Sequence, residues 1–232
     1  MSDGAPFRDR LLDLLGSPAG RARLFEPLER VTSSSTARDP AALRDRFSQE
    51  LLRVGGEVHD LTGAPDLRGA LGEILRGLVP SSEGTAARPQ AAFDRDPVWE
   101  KLPEPSALLL EAGFDSVDVA AGDSRAIKKL AGATVGITIA DLALAETGSI
   151  LQLDRPWRAR SISLLPPVHL VIVPEGRLLG GFEDLFEAAA GHLGGSSGYM
   201  TLITGPSRTA DIEKVLTIGV HGPGKVAAAL VS

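Results

Sequence analysis

The sequence predicts an α/β protein in which a mostly parallel sheet carries helices on both faces, with additional helices at the N-terminus. Two observations lead to this class. Apolar stripes at helical spacing, such as Leu43, Phe47 and Leu51, alternate with short apolar runs that suit strands, such as residues 169–173. Because parallel neighbours need a crossover connection, strands separated by helices favour a parallel sheet that helices cover.

Residues 1–38 are predicted to form a helical segment that precedes the α/β domain. Apolar residues in its first half recur at near-helical spacing, and a polar stretch ends it. Asp39 and Pro40 then favour a new helix start, because aspartate caps a first turn and proline is tolerated there. We therefore assign the α/β domain to residues 39–232.

The elements of this domain can be followed in order along the chain. Helices are predicted over residues 40–54, 67–78, 106–112, 124–130 and 182–193. Strands are predicted over residues 57–61 and 116–120, within the stretch 136–153, and over 169–173, 199–204 and 226–231. Residues 80–96 contain few large apolar side chains and are predicted to be a mobile loop or a linker.

Composition and charge exclude several classes of function. A net charge of −6 and a pI near 5.3 argue against a nucleic-acid surface, which needs clustered lysine and arginine. The basic cluster Arg155, Arg158 and Arg160 suits a small anion at most, and a solvated loop is its simpler interpretation. The absence of cysteine excludes thiolate nucleophiles and cysteine-ligated clusters on this chain. We expect a cytoplasmic protein without membrane contact, because neither a signal peptide nor a membrane-spanning run is visible.

Two carboxylates stand inside the apolar stretch 136–153. Asp141 and Glu146 are flanked by isoleucine, leucine and alanine, where a carboxylate must be hydrogen-bonded or used because its burial is costly. The sequence Thr147-Gly148-Ser149 follows as a tight turn that places Glu146 at the end of a strand. Open α/β sheets keep their sites at strand ends, so this stretch is the first candidate for a functional site.

A second candidate is the hydroxyl-rich sequence that begins at Gly205. Ser207 and Thr209 stand in a Gly-Pro-Ser-x-Thr loop at a predicted strand end, where hydroxyls and free N–H groups suit a carboxylate or a phosphate. In the alternative interpretation, one of these hydroxyls caps a short helix whose first turn carries Asp211 and Glu213.

Two of the four histidines have informative surroundings. His169 lies at a buried strand and is interpreted first as a hydrogen-bonded core residue, with a site role as the alternative. His221 precedes Gly222 in a predicted tight turn, where a structural role and a role in a functional site are equally compatible with the sequence. The phosphate-loop spacing in residues 219–225 is followed by Val226 instead of serine or threonine, so no nucleotide site is predicted. No pair of candidate ligands has His-x-x-x-His spacing, so no metal site is predicted.

Five motifs occur in a fixed order in the C-terminal part of the chain. They are Ala140-Asp141, Ala145-Glu146-Thr147-Gly148-Ser149, the segment 163–169 that ends at His169, the segment 205–213 and the segment 219–223. Together they resemble the LUD family, and within it the lactate utilization protein C type. The resemblance covers residues 134–232 strongly and the N-terminal half in outline.

The resemblance implies a fold similar to the superfamily of sugar-phosphate isomerases and CoA transferases. It also implies a subunit that acts beside iron–sulfur partner subunits in oxidising L-lactate to pyruvate, binds a small carboxylate and carries no cofactor itself. Glu146 is similar to the glutamate that forms an acyl intermediate in CoA transferases, so it is the candidate nucleophile or base, with His221 as the second catalytic candidate. The substrate-binding candidates are Asp141, Thr147, Gly148, Ser149, His169, Gly205, Ser207, Thr209, Asp211, Glu213 and Gly222.

Two other functions stay open at this point. In one alternative, the chain is a non-catalytic assembly module for the iron–sulfur partners. In the other it is a stand-alone acyl or CoA transferase. The sequence does not decide between a monomer and a homo-oligomer.

Overall fold

The computed structural model describes residues 39–79, 87–119, 125–153, 155, 158–185, 200–210, 216–219 and 221–232. The predicted N-terminal helical segment lies outside these residues, and so do Asp211 and Glu213. In this part of the chain, no helix combines the length and the apolar character that a membrane span requires.

Strands and helices alternate through most of the described chain. The strands are β1 (Glu57–Asp60), β2 (Gln90–Phe93), β3 (Asp115–Asp118), β4 (Ala133–Ile139), β5 (Leu142–Leu144), β6 (Ser149–Leu153), β7 (Val168–Pro174), β8 (Leu178–Leu179), β9 (Met200–Ile203), β10 (Arg208–Ala210), β11 (Leu216–Ile218) and β12 (Lys225–Val231). The α-helices with both ends in the described residues are α1 (Pro40–Arg53), α2 (Leu67–Leu78), α3 (Pro105–Glu111) and α4 (Ala126–Leu130). Short 3-10 helices span Pro97–Lys101, Arg160–Ser163 and Glu175–Arg177.

Six strands form one parallel sheet, in the spatial order β1, β12, β7, β4, β2, β3. Its inner strands are rich in valine, isoleucine, leucine and alanine, and every residue of β7 before Pro174 is buried. Such continuous apolar runs are typical of strands that are covered on both faces. The predicted parallel sheet is confirmed.

Helices cover both faces of this sheet, as predicted. Leu170 and Ile172 of β7 pack in the apolar cluster that contains residues of α2 and α3. Val171 and Val173, which point to the opposite face, pack with Phe47 and other residues of α1. The alternation along one strand therefore supplies two separate core layers.

Helix α1 begins where the sequence predicts. Asp39 Oδ1 accepts a hydrogen bond from the Ala41 N–H at 3.1 Å, and Pro40 is the first helical residue. A cap of this kind contributes about 1 kcal/mol to the stability of a helix. Phe47 and Leu51, from the apolar stripe of this helix, are fully buried against the sheet.

A second sheet, which the sequence analysis did not separate from the first, follows β4. Its order is β8, β5, β6, β9, and β5 and β6 form an antiparallel hairpin. The predicted tight turn lies between these two strands, and Gly148 has a positive φ of 62°. The turn is thus confirmed, but it belongs to the second sheet and not to a strand end of the parallel sheet.

The prediction of a mobile loop or linker over residues 80–96 is wrong for residues 90–93, and residues 80–86 lie outside the described residues. Gln90–Phe93 form β2, which pairs with β3 on one side and β4 on the other. Ala91 and Ala92 are fully buried and face different core clusters. Two alanines make an apolar run that is too short and too small to stand out from sequence, although both are central in the sheet.

The chain changes its direction across the sheet at β2. It runs from β2 outward to β3 and then crosses back to β4 on the other side of β2, from which it continues to β7 and β12. Open α/β sheets bind ligands in the crevice at the carboxyl ends of the strands at such a switch point. The residues that follow Phe93 and Ile139 therefore occupy the position where a site is expected.

Candidate functional site

Charged side chains meet at this switch point. Arg158 is only 2% exposed, and its guanidinium contacts three carboxylates. Its Nε donates to Asp94 Oδ2 at 2.8 Å, its Nη2 lies 3.4 Å from Asp96 Oδ2, and its Nη1 donates to Asp141 Oδ2. Nη2 also donates to the Ile139 carbonyl at 2.7 Å. One side chain thus joins the carboxyl ends of β2 and β4 to the segment after β6.

Two further arginines flank Arg158 at the rim. Arg155 Nε donates to Asp141 Oδ1 at 2.8 Å, and its side chain is 25% exposed. Arg177 Nη1 donates to the Ala140 carbonyl at 2.6 Å and lies 3.6 Å from Asp96 Oδ2, with a side chain that is 28% exposed. We call these six charged residues the switch-point cluster: Asp94, Asp96, Asp141, Arg155, Arg158 and Arg177.

Neutral N–H groups complete the hydrogen bonding of the buried carboxylates. Trp99 Nε1 donates to Asp94 Oδ1 at 3.2 Å, and the Ile139 N–H donates to Asp94 Oδ2 at 3.1 Å. The Leu153 N–H donates to Asp141 Oδ2 at 2.9 Å. Since buried charges are costly unless they are paired and hydrogen-bonded, these contacts explain how the carboxylates are tolerated.

The pKa values of Asp94 and Asp141 are shifted in opposite directions. Burial raises the pKa of Asp94 above its ordinary value, and the Arg158 guanidinium offsets only part of this effect. Burial acts in the same direction on Asp141, but its contacts with Arg158, the Leu153 N–H and Arg155 outweigh burial and lower its pKa. The cluster therefore holds Asp141 firmly in its charged form.

Glu146 lies half-buried in the turn of the β5–β6 hairpin. Its N–H donates to the Gly180 carbonyl at 3.0 Å, and its Oε2 lies 3.4 Å from the Phe182 N–H. Gly181 is so close that an added Cβ would collide with Glu146 Oε2. A helix begins at residues 182–185, and its first N–H groups favour a nearby negative charge.

The hydroxyls of the same turn form a short chain. Thr147 Oγ1 donates to Ser149 Oγ at 2.7 Å, and Ser149 Oγ is also 2.7 Å from Thr204 Oγ1. Gly148 is buried against the backbone of Leu51 in the last turn of α1. These three turn residues therefore fix the hairpin in place around Glu146.

His169 is a hydrogen-bonded core residue. Its Nε2 lies 2.8 Å from Thr138 Oγ1, which also accepts a hydrogen bond from Gln152 Nε2. Burial, reinforced by the positive charge of Arg158, lowers the pKa of His169 to about 3. Its Nδ1 has no hydrogen-bond partner among the described residues.

Ser207 and Gly222 meet at the amino end of β12. The Ser207 N–H donates to the Pro223 carbonyl at 2.9 Å, and a Cβ on Gly222 would contact Ser207 Cβ at 3.4 Å. Gly205 has a φ of +80° and packs against the end of α1, and His221 is exposed in the turn before Gly222. This group lies at the edge of the parallel sheet opposite the switch-point cluster.

The interpretation of Ser207 or Thr209 as a helix cap is wrong. Both residues precede or belong to β10, which pairs with β11 in an antiparallel hairpin. Residues of a first helical turn cannot pair in this way, because their N–H groups point along the helix axis. Asp211 and Glu213, assigned to the same motif, lie outside the described residues.

The described contacts divide the predicted site residues into separate groups. The pairs that meet are Thr147 with Ser149 and Ser207 with Gly222. Asp141 belongs to the switch-point cluster, with both of its oxygens in hydrogen bonds. No hydrogen bond in the described part of the chain joins Glu146 to Ser207 or His221.

Sequence reasoning missed most of the switch-point cluster. The expectation of a solvated loop is wrong for Arg158, and Asp94, Asp96 and Arg177 were not singled out. A signal was present, because Asp94 directly follows an apolar run, as Asp141 does at the end of the next strand in the sheet. The run before Asp94 is only Ala-Ala-Phe, which hid the pattern.

Comparison with known proteins places the chain among relatives that share one name. Lactate utilization protein C of Shouchella clausii is 36% identical over 229 residues, an alignment that covers 94% of each chain. Proteins of the same name from Exiguobacterium sp. and Bacillus subtilis are 43% and 38% identical over 103 and 109 residues. In those two alignments the chain spans less than half the length of the relatives, 44% and 45% respectively.

A solved structure and a family model also match this chain. The crystal structure of a DUF162 family protein from Deinococcus radiodurans matches with a TM-score of 0.56, covering 83% of this chain and 98% of that one. At 21% identity, this likeness shows a common α/β fold. A model of the LUD domain matches residues 44–231, which is most of the chain. The chain therefore belongs to the LUD domain family.

Proposed function

We propose that this protein is a cytoplasmic subunit of an L-lactate utilisation system, in which it binds a small carboxylate beside iron–sulfur partner subunits. The observation that carries the proposal is the alignment with lactate utilization protein C of Shouchella clausii, which extends over 94% of both chains. The match to the LUD domain spans residues 44–231, which contain the parallel sheet, the hairpin with Glu146 and the switch-point cluster.

The chemistry of lactate oxidation supports the need for partners. Conversion of L-lactate to pyruvate removes two electrons and two protons, which an acceptor must receive. The 232 residues contain no cysteine, so thiolate-ligated iron–sulfur clusters belong on another chain. The proposal therefore assigns electron transfer to the partners and substrate binding to this subunit.

Glu146 is the catalytic candidate in this proposal. One of its oxygens contacts the Phe182 N–H, and the other has no partner among the described residues. A half-buried carboxylate held in this way can serve as a base or a nucleophile. His221, exposed in the turn before β12, is the second catalytic candidate. The other predicted binding residues lie between Asp141 and Gly222 in the sequence.

A second candidate function is a non-catalytic assembly module for the same partners. Strand β9 forms one edge of the second sheet in the described residues, and its Met200 and Leu202 are 45% and 39% exposed. An uncharged, apolar strand edge is a favourable surface for another chain. In this function the chain would position its partners without touching lactate.

Affinity purification of the tagged full-length protein from its own cells grown on L-lactate tests the proposal. We expect iron-containing partner proteins in a stoichiometric complex, identified by mass spectrometry and iron analysis. Cells grown on a sugar provide the control for constitutive background binding. An iron-free, single protein from lactate-grown cells would contradict the subunit role and favour the stand-alone acyl or CoA transferase with Glu146 as its nucleophile.

A further inference from the structure

We infer that the switch-point cluster is the carboxylate site, with Arg177 at its rim as the residue that binds a small monocarboxylate such as L-lactate. The inference rests on the proposed role in carboxylate binding and assigns the ligand contact to Arg177, a residue outside every sequence motif. It moves the binding site away from Ser207 and His221 and onto the carboxyl ends of β2 and β4.

The first argument is the position of the cluster in the sheet. Asp94 and Asp96 follow β2, Asp141 follows β4, and the chain reverses its direction across the sheet between these two strands. A crevice opens at such a point because the two neighbouring connections leave toward opposite sides. The cluster therefore stands at the position where open α/β sheets bind their ligands.

The second argument is the unused donor capacity of Arg177. Only Nη1 of its guanidinium is engaged, by the Ala140 carbonyl and by Asp96. Its Nε and Nη2 have no partner in the part of the chain that the structure describes, and the side chain is 28% exposed. Two adjacent N–H donors on a planar fork match the two oxygens of a carboxylate.

The third argument is the charge balance, which selects the class of ligand. The three buried carboxylates exceed the single charge of Arg158, and only the rim arginines bring the cluster to neutrality. Because these six charges already balance, a bound anion brings uncompensated negative charge, and a doubly charged phosphate brings twice as much as a monoanion. The site thus favours a monoanion over a phosphate ester.

The fourth argument is rigidity. Arg158 is fixed by three carboxylates and by the Ile139 carbonyl, and Arg177 is tied to the next carbonyl of the same strand end. A ligand that binds Arg177 therefore loses little free energy in ordering the protein. Arg158 acts as a positioning residue, and Arg177 makes the ligand contact.

Titration of the ¹⁵N-labelled full-length chain with L-lactate, followed by NMR, tests this assignment without any mutation. We expect saturable shifts of the amide signals of Ala140, Asp141, Gly176 and Arg177. Inorganic phosphate at equal concentration is expected to bind more weakly. Saturable shifts confined to the surroundings of Glu146 or Ser207 would overturn the assignment, and so would phosphate binding that is tighter than lactate binding.

Arginine substitutions provide the matched comparison. Arg177→Gln is expected to raise the Kd for L-lactate by about tenfold or more, because a charge-assisted bidentate contact is lost. The Kd of Arg177→Lys should lie between those of the unmodified protein and Arg177→Gln, because lysine keeps the positive charge but lacks the planar pair of N–H donors. Arg53→Gln, which removes an exposed arginine of α1, is the control and should leave the Kd unchanged.

The outcomes separate this inference from the proposed function. Lactate binding that is equal in Arg177→Gln and the unmodified protein refutes the site and leaves the subunit role intact. A complete absence of lactate binding also refutes the site, while partner capture decides the subunit role independently. If Arg177→Gln fails to fold, the shift map of the unmodified protein decides alone.

Discussion

The buried side chains of Arg158 and His169 differ in charge: the arginine stays charged, and the histidine stays neutral. Arg158 keeps its charge because three carboxylates surround it, and its removal would leave them unpaired, which costs about 3–5 kcal/mol in comparable buried pairs. His169 stays neutral because it is fully buried and feels the same positive charge. The arginine therefore helps to set the protonation state of the histidine.

We predict that His169 makes the free energy of unfolding fall as the pH is lowered below its ordinary pKa. The unfolded chain protonates this histidine near 6.5, whereas the folded protein does so only at about 3. Between these values the unfolded state binds more protons, so the stabilisation is fully present above pH 6.5 and is lost as the pH falls. The slope from one such group approaches about 1.4 kcal/mol per pH unit.

Urea unfolding of the protein and of His169→Gln at a series of pH values between about 7 and 5 measures this contribution. Glutamine can keep a hydrogen bond to Thr138 but does not titrate. The variant should therefore lose part of the pH dependence in this range. Identical slopes in the two proteins would show that His169 does not carry the effect.

At the scale of elements, the β5–β6 hairpin and helix α1 meet at a glycine. Gly148 has a φ of +62°, and an added Cβ would collide with the backbone of Leu51. Because backbone atoms cannot move aside as a flexible side chain can, the contact requires glycine at this position. The contact fixes the turn that carries Glu146 relative to the helix.

We predict that Gly148→Ala lowers the free energy of unfolding by about 1–3 kcal/mol or more, because it combines overpacking with an unfavourable φ. Gly77→Ala in α2 is the matched control, since nothing lies within 4 Å of the added Cβ. The control is expected to be neutral or more stable by up to about 1 kcal/mol, from helix propensity. Denaturant midpoints compare the two variants, and equal effects would contradict the packing account.

The hairpin also shows which features the sequence could predict. The turn at Thr147-Gly148-Ser149 is a local pattern, so its position was predicted correctly. The partners of Arg158 are 64 and 62 residues away in Asp94 and Asp96, and no local pattern reports such contacts. The same holds for β2, whose two alanines became recognisable as a strand only through pairing with β3 and β4.

On the scale of the whole molecule, the sheet topology connects the fold to the proposed function. Alternating helices and strands predicted a parallel sheet with two covered faces, and the structure has both. The strand order could not be predicted, because it depends on crossovers that local periodicity does not encode. That order creates the switch point, and hence the place where the charged cluster forms.

Growth on L-lactate tests the central claim most directly. The gene for this protein is deleted in its own organism, and growth and L-lactate consumption are measured with lactate as the only carbon source. Our account predicts that both are lost, that growth on a sugar is unaffected, and that the intact gene restores both. Unchanged growth and lactate consumption in the deletion strain would contradict a role in lactate utilisation.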